Sequence, residues 1–242
     1  VVTVNGTAVM TVNDGASFTN AGGSDVIVQS LGGDIYVNGA VTGSFFNDGG
    51  KLRIETGADV TGDVVIDSVF ATTRGTIRGT VDVNGGTLFQ RNGSDTLQLT
   101  TVDTGGLLNA EGGDFTGGIL MTGGALDISA DTTGDIENDG STITLPAGFT
   151  LTGDITNTDG SMTVASDVVG AVFVDDGNVT FTSNSSTTQE SIQTGGDVTM
   201  TGGDFASDYR ATGGTTTVEG TVAGRLRAYG SSDVLVRGAG VL

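Results

Sequence analysis

The sequence predicts an all-β fold, a single three-sided parallel β-helix that winds through coils of roughly 18 residues, a short period typical of solenoid proteins. Three observations support this prediction. Eight of the twelve complete segments that can be stacked have the same length, strand-like alternation opens each segment, and glycine marks the segment ends. The period runs along the whole chain, which favours one continuous solenoid.

The period is clearest where two segments are laid over each other. Residues 107–124 and 197–214 agree at their glycines, at one Phe and in their alternating first residues. The predicted coils are 16–33, 34–50, 51–68, 69–86, 87–106, 107–124, 125–140, 141–160, 161–178, 179–196, 197–214 and 215–232, with part-coils at 1–15 and 233–242. We therefore expect one domain over residues 1–242, with about 13 coils and no linker.

Each coil opens with apolar and polar residues in alternation. Side chains two apart in a strand share a face, so this pattern predicts one buried and one solvated side. The stretches are rich in Val, Thr and Ile, which favour strands. We expect six apolar residues at these places to lie inside: Leu52, Ile54, Val198, Met200, Val234 and Val236.

Glycine supplies the corners between the strands. The chain has 43 Gly and one Pro, and Asn-Asp-Gly recurs at 13–15, 47–49 and 138–140, near predicted coil ends. Glycine adopts the positive φ that sharp turns require. Roughly 18 residues per coil fits three faces of about six residues each. The sequence favours a right-handed helix, because left-handed hexapeptide solenoids need a more regular six-residue motif.

Composition excludes several partners. The formal charge of −20 disfavours nucleic acid and anionic membrane surfaces. No apolar run approaches the roughly 18–20 residues of a membrane span. Acidity with abundant Thr, Asn, Asp and Gly suits a protein outside the cell or at its surface, which is the localisation we expect.

The residues needed for most catalytic sites are missing. Cysteine and histidine are absent, which excludes Ser-His-Asp and Cys-His arrangements and the commonest zinc sites. Paired carboxylates remain, but nearly every coil holds an Asp, so their pairing is uninformative. We expect no enzyme and no cofactor, calcium apart.

One corner is a candidate calcium site. Asp139, Asp159 and Asp176 each fall just before a glycine in three successive coils. Stacking would bring their carboxylates to about 5 Å, where like charges repel unless a cation bridges them. Calcium takes carboxylate and backbone oxygens and would relieve the repulsion. The alternative is that Asp-Gly simply favours the turn and points into water.

Three stretches of sequence resemble two known families. Residues 51–68 and 215–240, with apolar-x-apolar strands and xVxGxV corners, look like bactofilins. That resemblance implies a right-handed triangular β-helix that polymerises end to end without nucleotide. Residues 112–129 are similar to passenger repeats of autotransporter-type bacterial adhesins. Neither resemblance implies catalytic residues.

The two ends of the chain predict self-association. Val1–Val4 and residues 233–238 show strand pattern without a capping segment, and an open ladder edge favours pairing with another chain. We expect copies to join head to tail, with Val234 and Val236 against Val2 and Val4. Arg225, Arg227 and Arg237 near one end would meet Asp14 and Asp25 near the other.

The predicted function is therefore a structural protein that forms an extracellular filament or surface layer. An alternative is that the chain belongs to a longer rod, in which neighbouring coils supply the caps. The runner-up function is an adhesin or phage-fibre rod that binds cell-surface glycans along one face. Aligned exposed aromatic residues would favour glycan binding, and Tyr36, Tyr209 and Tyr229 are spaced irregularly.

Overall fold

The computed structural model describes residues 1–19, 26–67, 69–182, 185–202, 204–205, 207–219, 221–222 and 224–237. Every regular element in these ranges is a β-strand, and the strands form a β-solenoid of about 11 turns. The chain divides into two compact units, Val1–Asp127 and Ile128–Leu242. In the first unit, successive strands visit three sheets in turn, which we name face A, face B and face C.

The first unit has its strands on three separate sheets, and the strands that pair within each sheet run parallel. Face A holds β1 (Val2–Asn5), β4 (Val26–Leu31), β7 (Gly43–Asn47), β10 (Val64–Ile66), β13 (Val81–Val83), β16 (Thr100–Val102) and β19 (Ile119–Met121). Face B holds β2 (Val9–Val12), β5 (Asp34–Val37), β8 (Leu52–Ile54), β11 (Phe70–Thr73), β14 (Thr87–Arg91), β17 (Leu107–Glu111) and β20 (Ala125–Ile128), whose last residue belongs to the second unit. Face C holds β3 (Ser17–Phe18), β6 (Ala40–Val41), β9 (Asp59–Val60), β12 (Thr76–Ile77), β15 (Asp95–Thr96) and β18 (Gly113–Asp114).

In the second unit the first two long strands turn a corner without a break, so the strands on both sides of that corner belong to one sheet. The two long strands are β22 (Ile136–Leu145) and β24 (Ile155–Val164), with register shifts around Asp139. We keep the names face A and face B for the two sides of this sheet. Face A continues in β26 (Val172–Val174), β29 (Ser191–Gln193), β32 (Tyr209–Ala211) and β35 (Leu226–Ala228). Face B continues in β27 (Asn178–Phe181), β30 (Asp197–Met200), β33 (Thr215–Val218) and β36 (Asp233–Val236). Face C holds β21 (Thr132–Thr133), β23 (Thr150–Thr152), β25 (Asp167–Val169), β28 (Ser186–Thr187), β31 (Asp204–Phe205) and β34 (Thr221–Val222).

These sheets confirm the predicted all-β, three-sided parallel β-solenoid. The strand pairing does not confirm an even coil length, because hydrogen-bonded partners between coils are commonly 19 or 17 residues apart. Right-handedness and a single domain of about 13 coils stay predictions.

The predicted coil starts agree with the strands of face B from residue 34 onward. In the first unit these strands begin at Asp34, Leu52, Phe70, Thr87 and Leu107, within one residue of the predicted starts. The predicted start of the first coil at residue 16 is wrong, because Met10 pairs with Ile35 and residues 17–18 lie on face C. Asn-Asp-Gly at 13–15 turns the chain from face B to face C, whereas at 47–49 and 138–140 it follows face A.

The core lies between the three faces. Leu52, Ile54, Val198 and Met200 are at most 2% exposed, as predicted. The prediction is wrong for Val234, which is half-buried, and for Val236, which is 40% exposed. Both lie in β36, which pairs only with β33 among the described strands.

Glycines stack at the corner that leads from face C to face A. A Cβ added to Gly62 would collide with the backbone of Gly43, and one added to Gly170 would collide with the carbonyl oxygen of Gly153. This corner therefore passes over the one below it only where side chains are absent.

Within the described ranges, the structure contains no helix with the length and apolar character needed to cross a membrane.

Candidate interaction surfaces

The structure places the three predicted calcium ligands at the corner between face A and face B of the second unit. Asp139 and Asp159 are paired in register, and all three carboxylates, including that of Asp176, are exposed. The glycines that follow them stack, because a Cβ on Gly177 would collide with the Gly160 carbonyl oxygen. The predicted column of Asp-Gly corners is thus present for Asp139 and Asp159, and Asp176 lies beside it.

Two of these carboxylates accept hydrogen bonds from their own turns. The backbone N–H of Gly160 donates to Asp159 at 2.6 Å, and that of Gly177 donates to Asp176 at 2.8 Å. Among the described residues, no group of three or more His, Cys, Asp or Glu side chains is arranged to hold a metal ion. Calcium at this corner stays a prediction.

A second acidic column, at the corner from face C to face A, was missed in the sequence. The carboxylate of Asp63 accepts a hydrogen bond from the backbone N–H of Thr80, one coil further on, at 2.8 Å. In the second unit Asp135 accepts from the N–H of Asp154, and Asp154 accepts from the N–H of Ala171, both at 2.8 Å. These carboxylates bridge coils by satisfying corner N–H groups that no strand pairs.

A sequence signal for this column exists. Thr-Gly-Asp occurs at 61–63, 133–135 and 152–154, each time directly before a strand of face A. The glycine allows the close approach of the corners and the aspartate supplies the acceptor. Part of the strong acidity of the chain therefore has a structural role.

Buried amides hold the opposite corner from inside. Asn138 and Asn157 have no exposed side-chain surface, and Asn138 Nδ2 donates to Asn157 Oδ1 at 2.7 Å. Asn157 Nδ2 donates to the carbonyl oxygen of Asp176 at 2.6 Å. Further along, Gln193 accepts hydrogen bonds from the hydroxyls of Tyr209 and Thr216. Burial raises the pKa of Tyr209, so this phenol stays neutral as a donor.

Face B of the first unit carries cations and aromatic rings on its outer side. Phe70 and Phe89 pack edge to face with ring centroids 6.3 Å apart. Lys51 Nζ lies 6.0 Å from the centroid of Phe70, and the Arg91 guanidinium lies 5.5 Å from that of Phe89. We call the following set the cation–aromatic face: Lys51, Arg53, Phe70, Arg74, Phe89 and Arg91.

Two glutamates form ion pairs with cations of this face. Glu55 lies 3.3 Å from Arg74 and 4.0 Å from Arg53, and Glu111 pairs with Arg91. Asp34 also lies on this face, and its carboxylate accepts a hydrogen bond from the backbone N–H of Lys51 at 3.0 Å. Four cations against these three carboxylates leave an excess of one positive charge on this face, in a chain of net charge −20.

Face A of the same unit carries the opposite charge. Asp63, Asp67, Asp82 and Asp103 lie on and beside three consecutive strands, β10, β13 and β16, and we call them the carboxylate face. Burial, and then the charges of Asp103 and Asp63, raise the pKa of Asp82. The ionised form of Asp82 is therefore disfavoured where it stands.

The first and last strands of face B each have one open side among the described residues. In β36 the N–H of Asp233 and the N–H of Arg237, just beyond its end, donate to Gly214 and Val218 at 2.9 Å, which satisfies the inner side. Alternate residues of a strand point their N–H groups to opposite sides, so Val234 and Val236 direct theirs outward. In β2 the carbonyl oxygen of Val12 accepts a hydrogen bond from the backbone N–H of Asn38 at 2.7 Å. The backbone N–H and C=O of the preceding residue, Thr11, therefore point to the open side.

Two of the arginines predicted to bind the opposite end are engaged within their own unit. Arg225 lies 3.0 Å from Asp208, and Arg227 lies 2.9 Å from the same carboxylate. Hydrogen bonds from the backbone and side chain of Arg225 lower the pKa of Asp208. Of the predicted partners, Asp14 is exposed and Asp25 lies outside the described residues.

Comparison with known proteins gives no relative: no protein-family model, no curated protein and no solved structure matches this chain.

Proposed function

We propose that this protein is a structural protein outside the cell, whose copies associate head to tail into a filament or a surface layer. The observation that carries the proposal is the pair of open strands on face B, β2 and β36. An exposed strand edge is a template for pairing with another chain. When the two edges differ, the contact is heterologous and does not close, so it yields fibres.

Apolar exposure at both edges supports the proposal. Val9 is 63% exposed in the first coil, and Leu235 and Val236 are 41% and 40% exposed in β36. Joining two copies would remove apolar surface from water, at about 25 cal/mol per Å². It would also satisfy the backbone groups of both edges.

The face assignment changes which residues should meet. β1 belongs to face A and β36 to face B, so a ladder continued from copy to copy brings β36 beside β2. Val234 and Val236 would then lie against Met10 and Val12 instead of the predicted Val2 and Val4. Val2 and Val4 would instead lie against Leu226 and Ala228 of face A.

Two alternatives account for the same open edges or the same exposed surface. Further coils of a longer adhesin-like rod would cover the edges equally well, and the resemblance of residues 112–129 to adhesin repeats favours that arrangement. A glycan-binding rod would need exposed rings, and Tyr209, one of the three tyrosines, is buried. Residues 51–68 and 215–240 resemble bactofilins, which supports end-to-end assembly.

Substitution of Val236 by proline tests the proposal. Proline removes the one N–H that Val236 directs to the open side, and it leaves the hydrogen bonds of Asp233 and Arg237 to the preceding coil in place. We expect Val236→Pro to remain monomeric in light scattering at concentrations where the unchanged protein forms long assemblies. Its circular dichroism and unfolding midpoint should stay close to those of the unchanged protein.

Val236→Thr is the matched control, because it keeps the N–H and the β-branched shape and should still assemble. An unchanged protein that stays monomeric at high concentration, across salt and calcium, would overturn the proposal and favour the longer rod.

A further inference from the structure

Most of the cations of the first unit lie on one surface. Four of the nine Lys and Arg residues belong to the cation–aromatic face, where they stand on the consecutive strands β8, β11 and β14 or directly beside them. Lys51 and Arg53 are exposed, and Lys51 is the only lysine of the chain. A surface of this kind selects an anionic partner.

The rings of this face are poorly placed to stack on a sugar. Lys51 lies over the ring of Phe70 and Arg91 over the ring of Phe89, and the two rings meet edge to face. The cations thus occupy positions over the rings that a sugar would need. What the surface presents outward is positive charge on an apolar base, since Phe70 is 38% exposed.

The carboxylate face has the matching properties. It carries four aspartates on and beside three consecutive strands, and burial, followed by the neighbouring carboxylates, opposes the ionisation of Asp82. A cation brought close to Asp82 from outside would relieve that repulsion.

The two faces also share a spacing. Both are built on strands stacked in parallel, so their charges recur at about 4.8 Å per coil. Cations on three successive coils of one copy can therefore meet carboxylates on three successive coils of another without a mismatch in rise.

We propose that copies of this protein bind side by side, with the cation–aromatic face of one copy against the carboxylate face of the next. Because the two faces differ, this contact is heterologous and repeats laterally. It does not depend on the head-to-tail contact, and the two together would turn single filaments into bundles or sheets.

Charge reversal with rescue tests the proposal. One variant carries Lys51→Glu and Arg74→Glu, and the other carries Asp82→Lys and Asp103→Lys. Both are made with Val236→Pro, so that end-to-end growth does not contribute. Each variant alone sets like charges against each other and should stay monomeric in analytical ultracentrifugation at low salt, where the Val236→Pro protein self-associates.

An equimolar mixture of the two variants should associate again, because each then offers the charge that the other lacks. The association should weaken at least tenfold between about 10 mM and about 1 M salt, as the Debye length falls from about 30 Å to about 3 Å. Circular dichroism checks that each variant is folded.

Asp95→Lys with Asp114→Lys is the matched control, because it reverses two stacked carboxylates on face C. This control should associate like the parent. The proposal is overturned if the parent stays monomeric at low salt, or if the mixture fails to associate while both variants are folded. It is also overturned if the cation–aromatic face binds an anionic polysaccharide such as polygalacturonate while copies do not bind each other.

Discussion

At Gly170 the absence of a Cβ atom allows two successive corners of the solenoid to pack closely. Its φ lies outside the left-handed region, yet a Cβ there would collide with the carbonyl oxygen of Gly153 in the preceding coil. We expect Gly170→Ala to lower the free energy of unfolding by about 2–3 kcal/mol, as overpacking does in cores. Urea unfolding measures the loss.

Gly148→Ala is the comparison, because Gly148 has a φ of 101° and open space where a Cβ would stand. It should cost only the backbone strain, about 1 kcal/mol. Equal losses for the two variants would show that conformation, not close approach, keeps glycine at Gly170.

Asp82 is a carboxylate whose charge opposes folding. Its pKa is raised in the folded protein, so the folded state holds the proton more tightly than the unfolded state, and stability falls as pH rises through that pKa. Asp82→Asn should therefore raise the free energy of unfolding at neutral pH, by less than about 0.5 kcal/mol. The gap should close in acid, where the aspartate is protonated. A variant that is less stable at neutral pH in urea unfolding would contradict this account.

At the scale of the strand and its corner, Asn157 is the test of the buried amides. Asn157→Ala leaves the carbonyl oxygen of Asp176 without its side-chain donor, and an unsatisfied buried group costs about 1–3 kcal/mol. We expect a loss of about 2 kcal/mol in urea unfolding, the middle of that range. Asn84→Ala is the control, because the exposed side chain of Asn84 donates to the Asp67 carboxylate at the surface, and its loss should cost less than about 0.5 kcal/mol.

The predicted calcium corner is tested by adding and removing the ion. Bound calcium would bridge Asp139, Asp159 and Asp176 and raise the midpoint of thermal unfolding, since a ligand of the folded state stabilises it. A chelator should then lower the midpoint, and Asp159→Asn should abolish the difference. A midpoint that does not respond to chelator would leave only solvated Asp-Gly turns.

The sequence was sufficient to predict the strands of face B, because their apolar alternation is strong and glycine ends each coil. The sequence-based prediction was wrong for the start of the first coil, because Asn-Asp-Gly at 13–15 forms a different corner from the one it forms at 47–49. Two features depend on which residue of one coil lies above which residue of the coil before it. These are the hydrogen bonds of Asp63 and Asp154 to the next coil, and the contact between Lys51 and the ring of Phe70. That register changes between 17 and 19 residues, and the average period alone does not determine it.

At the scale of the whole molecule, each coil gains most of its contacts from its neighbours, so the outermost coils are the least satisfied. Among the described strands of face B, β2 and β36 each have one unpaired side. Head-to-tail assembly is the central claim because it satisfies both at once, and the side-by-side contact adds a second direction of growth.

Electron microscopy of the purified protein tests the central claim most directly. We predict long, unbranched filaments whose diffraction shows a repeat of about 4.8 Å along the filament axis, as strands stacked across every junction require. Val236→Pro should abolish the filaments under the same conditions. Separate single copies of the unchanged protein at high concentration would contradict the account.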